Sequence, residues 1–326
     1  VQHNILLWKL EHEYFICGRF LRTIKSFLSN RRSSVRLNGH YSDWQYDTVG
    51  VPQGGALSPL LYLIYKDNLA VLNSMPNLHL CLYADDLSLF TSKISVSRQQ
   101  HLLQTGLLYI QWYSLHHGLR LNFTKTKQTY FKRIRIKDEH YPPLYFSKTV
   151  QNAFVSTRDD VTHMAANQRL KHDTKPFEYL GLTFDPTLRF QPHTEKTQKK
   201  CLKAYYTLHR HLRRLWSIPG DIAWRLFNTC VLSIMDYSSI IWGHLWNIHK
   251  DKFKTIHTRI LRASLGTING TPTIHLLHHL NTLDISRRQN LLNSKHFSRI
   301  LRTPRSGILY QNIKNNWWNL IRFWCA

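Results

Sequence analysis

Leucines recur at every second position from Leu78 through Leu82, alternating with His79, Cys81 and Tyr83, and Leu87 to Phe90 form a short return arm. A period of two marks a strand, so this stretch predicts a β-hairpin that lifts Asp85 and Asp86 to its tip. Elsewhere the helical period dominates. Apolar residues at Ile5, Leu6, Leu7, Trp8 and Leu10, then at Ile16, Phe20, Leu21, Ile24, Phe27 and Leu28, predict two amphipathic helices broken near Gly18. Leu103, Leu107 and Ile110 predict a helix from Ser97 to His117, stopped by Gly118. After Glu195, Cys201, Tyr205, Leu208, Leu212 and Leu215 line one face of another. Ile222 to Ile234, Phe253 to Leu265, Ile274 to Leu283 and Arg287 to Leu301 continue in the same way.

Between these elements the turn chemistry is informative. Val35 to Leu37 and Tyr46 to Val49 flank Asn38-Gly39 as the arms of a hairpin. Ser58 is expected to cap a helix with Pro59 in its first turn, buried along Leu60, Leu61, Leu63, Ile64 and Leu69. Phe177 to Phe184 reads as a strand pair around Gly181. Lys132 to Pro176 is polar, basic and broken by Pro142-Pro143, with one strand at Leu144 to Phe146. It exceeds ordinary loop length and is expected to be an insertion, disordered in part.

Composition narrows the partner. The 326 residues suggest about two domains, and 43% apolar with 13% aromatic residues argues for a folded protein. Lys and Arg number 44 against 19 Asp and Glu, a formal charge of +25 that self-repels and points to a polyanion. The bases are spread over several segments instead of flanking one membrane-seeking helix, which favours nucleic acid over a membrane surface. Five cysteines, widely spaced and without Cys-x-x-Cys, suggest a reducing compartment. With no signal peptide or run of 18 apolar residues, the chain is expected to be soluble and not secreted. Beginning at Val1 and not Met, it is expected to be a piece of something longer.

Two adjacent carboxylates in so apolar a stretch repel each other and resist desolvation, which calls for a cation. Mg²⁺ takes a hard oxygen shell with one or two protein carboxylates, and two such ions serve phosphoryl transfer. An Asp-Asp pair by itself also fits a solvated loop, and Asp159-Asp160, among Ser, Thr, Arg and His, is read as one. The first pair differs in its company, because Val51-Pro52-Gln53-Gly54-Gly55-Ala56-Leu57-Ser58-Pro59 precedes it, followed by an apolar helix. Val-Pro-Gln-Gly-x-x-Leu-Ser-Pro followed by Tyr83-Ala84-Asp85-Asp86 resembles the reverse transcriptase of non-LTR (LINE-type, jockey-like) retrotransposons. The resemblance covers roughly residues 1–290.

It implies an α+β fold: a partial right-hand polymerase palm, with an antiparallel sheet and packed helices, over residues 1–193, with 132–176 as its insertion. A helical thumb over 194–270 and a basic helical extension over 271–326 would follow. The implied activity is RNA-templated addition of dNTPs to a DNA primer, with two Mg²⁺ ions for which Mn²⁺ can substitute. Asp85 would be the main metal ligand of the hairpin, with Asp86 assisting, both counted as catalytic. Pro52, Gln53, Gly54 and Gly55, with Tyr83 and Ala84, would meet dNTP and template, Gln53 near the incoming sugar and Gly54 near the template base. Read alone, that loop is a tight turn before a core helix. Lys125 holds the spacing of the family's Asn-x-x-Lys-Thr stretch, whose lysine approaches the triphosphate and can protonate pyrophosphate. Without the resemblance, Thr124 to Lys127 is a solvated turn.

Tyr179, Leu180 and Gly181 resemble the primer grip, although a plain core hairpin has the same pattern. Lys199, Lys200, Lys203, Arg210, Arg213 and Arg214, crowded with one sign on a helix, are expected to track a nucleic-acid backbone. Tyr237 through Gly243 resembles a thumb segment, and the Trp317 to Trp324 tail reads as a helix packed on the thumb or as a base-stacking tail. The family's first metal-binding aspartate precedes a helix that begins much as Val1 to Leu7 does here, and none of Glu11, Glu13, Asp43, Asp47 or Asp67 has a strand context to replace it. The 326 residues alone are therefore expected to be inactive. The alternative is a non-catalytic RNA-binding protein with a maturase-like fold, and a third reading is a merely basic structural protein. The implied location is intracellular, with the nucleus as the site during retrotransposition.

Overall fold

Helices α1 (His3–His12) and α2 (Gly18–Leu28) form where the apolar spacing puts them, turning Leu6, Leu10, Ile24 and Leu28 into one core. The computed structural model describes residues 1–91, 95–131, 143–147, 168–172, 175–214, 218–243 and 246–302, and at 168, 171, 172, 213, 214 and 246–250 the backbone alone. By contacts the chain divides into two compact units, Val1–Thr129 with Ile136–Asp173, and Tyr130–Arg135 with Thr174–Ala326.

In the first unit Asn38 (φ +50°) and Gly39 (φ +87°) supply the left-handed pair that a two-residue hairpin turn requires. β2 (Arg36–Leu37) accordingly pairs with β3 (His40–Tyr41), and β1 (Arg32–Ser33) with β4 (Gln45–Tyr46). The return arm is thus His40-Tyr41 and not Tyr46 to Val49, since so short a turn fixes the register, and Val49 bridges Gln2 instead. Helix α3 (Ser58–Lys66) adds Leu61, Ile64 and Tyr65 to the core of α1 and α2. Ser58 is not its cap. Leu57 before it is already right-handed, so Ser58 lies within the helix, and its Oγ is buried without a hydrogen-bond partner among the described residues.

A 3₁₀ stretch, Asp67–Ser74, leads into β5 (Leu78–Tyr83), which pairs antiparallel with β6 (Asp86–Thr91). Leu80 faces Leu89 and Leu82 faces Leu87, and this leucine face packs on α4 (Val96–His116) through Ile110 and Tyr113. Close approach needs Gly106 in α4, where a Cβ would stand 2.7 Å from Leu89 Cδ2. Cys81, Tyr83 and Phe90 are exposed on the other face. β7 (Lys127–Gln128) pairs parallel with β10 (Lys171–His172), and β8 (Tyr145–Phe146) antiparallel with β9 (Gln168–Arg169). Leu144, Phe146 and Leu170 are buried with Leu107 of α4. Three positions of the expected insertion are thus packed in a core; residues 132–142, 148–167 and 173–174, Asp159-Asp160 included, lie outside the described residues. Among the described residues every sheet has two strands.

The second unit begins with β11 (Phe177–Tyr179) and β12 (Leu182–Phe184), followed by α5 (Gln191–Arg214) and α6 (Gly220–Phe227). A π-turn at Asn228–Leu232 leads to α7 (Ser233–Asp236), α8 (Ser239–Trp242), α9 (Trp246–Leu265), α10 (Thr273–His279) and α11 (Ile285–Leu301). Cys201, Phe227, Val231, Met235, Trp242, Ile260 and Ile285 are fully enclosed, and Phe184 of the hairpin packs against this core. Arg288 grips both Asp236 oxygens, Nε at 3.1 and 3.0 Å. Leu215 and the Trp317 to Trp324 tail lie outside the described residues.

His257 of α9 is buried in this unit, its Nε2 without a partner among the described residues and Trp224 edge-on at 6.0 Å. Burial pulls its pKa down to about 4, opposed by Asp284 and aided by Arg288. The unfolded chain, with an ordinary value near 6.5, binds the extra proton between those limits, so this stabilisation is complete above about pH 6.5 and is lost as pH falls toward 4. Unfolding of this unit should cost about 2 kcal/mol less at pH 5 than at pH 7.5 from this group. His257→Gln should flatten that part of the profile; an unchanged slope would rule out His257 as its source.

Candidate active site

The turn between β5 and β6 consists of Ala84 and Asp85, with Tyr83 opposite Asp86. Ala84 sits at φ +47°, a left-handed corner that costs a residue with a Cβ about 1 kcal/mol. Asp85 and Asp86 are both exposed, as is Tyr83. The corner is held by Lys66, the last residue of α3. Its Nζ donates to the Ala84 carbonyl at 2.8 Å and lies 4.9 Å from the centre of the Tyr62 ring. Lys66 is only 6% exposed; burial lowers its pKa while Asp85 and Asp86 push it back up. Burial, and then Asp85, raise the Tyr62 phenol. The sequence reading passed over Lys66, whose one local signal was its place four residues after Tyr62 in an apolar helix.

The Pro52 to Gly55 loop enters the opposite end of the same helix. Gly54 has φ +82°, a conformation that favours glycine, and with Gln53 it forms the exposed crest. Pro52 and Gly55 are half-buried, and a Cβ on Gly55 would stand 2.7 Å from Ser58 Oγ and 3.2 Å from Phe27 Cζ. From Ser58 to Lys66 the axis rises about 12 Å, so α3 spaces the loop from the corner. Lys125 is exposed on a separate turn, where Asn122 Oδ1 accepts from its amide at 3.0 Å and from Thr124 Oγ1 at 2.9 Å. Leu119 and Leu121, just before that turn, share the leucine core beneath the β5–β6 hairpin. The structure thus gathers Asp85, Asp86, Lys66 and Tyr62 at one end of α3, and anchors the Lys125 turn on the same core.

Among the described residues no three of His, Cys, Asp or Glu come together to hold a metal ion. Two exposed carboxylates offering hard oxygens fit part of the shell of a divalent cation. No helix among the described residues is long and apolar enough to cross a membrane.

In the second unit the turn of the β11–β12 hairpin is Leu180 (φ +47°) and Gly181 (φ +76°), both left-handed. Tyr237 Oη donates to the Leu180 carbonyl at 2.7 Å, and a Cβ on Gly181 would approach Tyr237 Cε1 to 3.2 Å. Trp242 Nε1 donates in turn to the Tyr237 carbonyl at 3.3 Å. Tyr179 is half-buried beside this turn. Lys196 pairs with Glu178. Along α5, Lys199, Lys200, Lys203 and Arg210 are exposed opposite the buried Cys201 and Tyr205, while the Arg213 and Arg214 side chains lie outside the described residues.

Residues 1–184, more than half of the chain, match the reverse transcriptase (RNA-dependent DNA polymerase) family. The RNA-directed DNA polymerase described for transposon BS of Drosophila melanogaster is 26% identical over 80% of this chain and 27% of its own length. Those of the mobile element jockey are 22% identical over 82% of the chain in Drosophila funebris and over 96% in Drosophila melanogaster, covering 27% and 30% of the relatives. The chain belongs to the reverse transcriptase family, and is similar to the reverse transcriptases of non-LTR retrotransposons. It spans little more than a quarter of the length of these curated relatives. No solved structure matches it.

Proposed function

We propose that this chain carries the palm carboxylate pair and the thumb of an RNA-directed DNA polymerase that adds dNTPs to a DNA primer on an RNA template. The observation that carries the reading is the Asp85-Asp86 corner, exposed at a hairpin tip and tied by Lys66 to the helix that begins at the glycine loop.

In this reading Asp85 holds the metals as main ligand and Asp86 assists. Bound there, paired divalent ions supply activation of the primer 3′ oxygen and stabilisation of the departing pyrophosphate. Gln53 and Gly54 lie along the nascent base pair, where an exposed glycine backbone allows close approach, with Pro52, Gly55, Tyr83 and Ala84 framing the nucleotide. Lys125, exposed on its turn, offers its charge and a proton to the pyrophosphate. Tyr179, Leu180 and Gly181 steady the primer end, and the α5 lysines and arginines follow the phosphates. The 326 residues alone are inactive in this reading, because two carboxylates leave the catalytic metal without its third. The exposed Lys199, Lys200, Lys203 and Arg210 of α5 fit a second reading equally, a non-catalytic RNA-binding protein of maturase-like fold.

Primer extension separates the two. The chain lengthened through the coding sequence upstream of Val1 should extend a DNA primer on RNA with Mg²⁺ and dNTPs. Tight RNA binding with no extension would sink the polymerase reading.

A further inference from the structure

We propose that Lys66 is a positioning residue that fixes the Asp85-Asp86 corner from beneath and sets how tightly that corner takes a divalent cation. The inference rests on the polymerase reading for its purpose, but its evidence is separate. Lys66 is nearly enclosed in a helix whose other buried residues include Leu61, Ile64 and Tyr65, a position where an apolar side chain would be ordinary. A buried ammonium is costly unless its charge is answered. Among the described residues no carboxylate pairs with it at ion-pair distance; what answers it is the Ala84 carbonyl at 2.8 Å, the Tyr62 ring, and the field of Asp85 and Asp86 beyond.

Two consequences follow from that geometry. The charge-assisted bond to Ala84 anchors the one left-handed residue of the turn, so the corner keeps its shape before any ligand arrives. The same ammonium offsets the mutual repulsion of the two aspartates from the protein side, and thereby competes with a cation arriving from the solvent side. Removing the charge should therefore loosen the corner and tighten cation binding together. A merely structural lysine would lose both.

The test uses the 326-residue chain, with Lys66→Met removing charge and donor and Lys66→Arg restoring both. Hydrogen exchange at the amides of residues 83–87 should quicken about tenfold in Lys66→Met, with protection of the α1 and α2 core unchanged. Manganese titrated alone and followed by paramagnetic resonance should bind about three- to tenfold tighter in Lys66→Met than in the native chain. Lys66→Arg should match the native chain in both measurements, and Asp85→Asn should remove the manganese signal. Unchanged exchange in Lys66→Met overturns the proposal, as does loosening of the whole first unit with weaker manganese binding. If the native chain binds no manganese at the corner, the cation half of the proposal is overturned, while the metal reading under Proposed function, which needs the upstream carboxylate as well, is decided separately by primer extension.

Discussion

Asp85→Asn in the upstream-lengthened polymerase should cut primer extension by on the order of a thousandfold, about 4 kcal/mol of transition-state stabilisation, while template–primer binding stays within about twofold. Asparagine preserves the volume of the side chain and the two-residue turn, and Lys66 still holds the Ala84 carbonyl. What is lost is one anionic ligand from a corner that has two. The binding arm guards against misreading a folding defect as a catalytic one. Extension within threefold of the unsubstituted enzyme would remove Asp85 from the role of main ligand.

Trp242→Ala should destabilise the second unit by about 4 kcal/mol, the range for emptying an aromatic site in a packed core. Trp242 is fully enclosed, with Phe253 at 5.5 Å and His193 at 5.9 Å, and its indole N–H satisfies the Tyr237 carbonyl. The damage therefore reaches Tyr237, whose hydroxyl secures the left-handed Leu180. Urea-dependent hydrogen exchange at residues 177–184 and 253–265 should register the loss, while residues 78–91 of the first unit keep their protection. A loss below about 1 kcal/mol would mean that the surrounding helices close over the gap.

The β5–β6 hairpin was legible because its two faces differ at every step: leucines at even positions on one arm meet leucines at odd positions on the other, and only one register buries them all. The left-handed Gly54 and the exposure of Lys199, Lys200, Lys203 and Arg210 were legible for similar local reasons. Ser58 was misread because a Ser-Pro pair suits either the cap or the first turn, and the conformation of Leu57 decides between them. Within 132–176 the strand at Tyr145-Phe146 was legible, but its partners were not, because Gln168-Arg169 and Leu107 are far along the chain. Lys66 escaped in the same way, as did the contact of Tyr237, read only as part of a thumb-like segment, with Leu180. Each acts on a carbonyl, 18 and 57 residues distant, and a carbonyl leaves no side-chain signature to read.

The end of α3 is clamped from two directions. Tyr65 takes the Gln2 amide at 3.2 Å on its hydroxyl, which donates to the His117 carbonyl, and its own carbonyl receives the Tyr113 hydroxyl at 2.6 Å. Lys66, about 100° around the helix, grips Ala84. A rod pinned on two sides cannot spin about its long axis without tearing one pin loose. A displacement imposed where Gly54 and Gly55 feed into it would then reach the acidic tip as a thrust and not a twist.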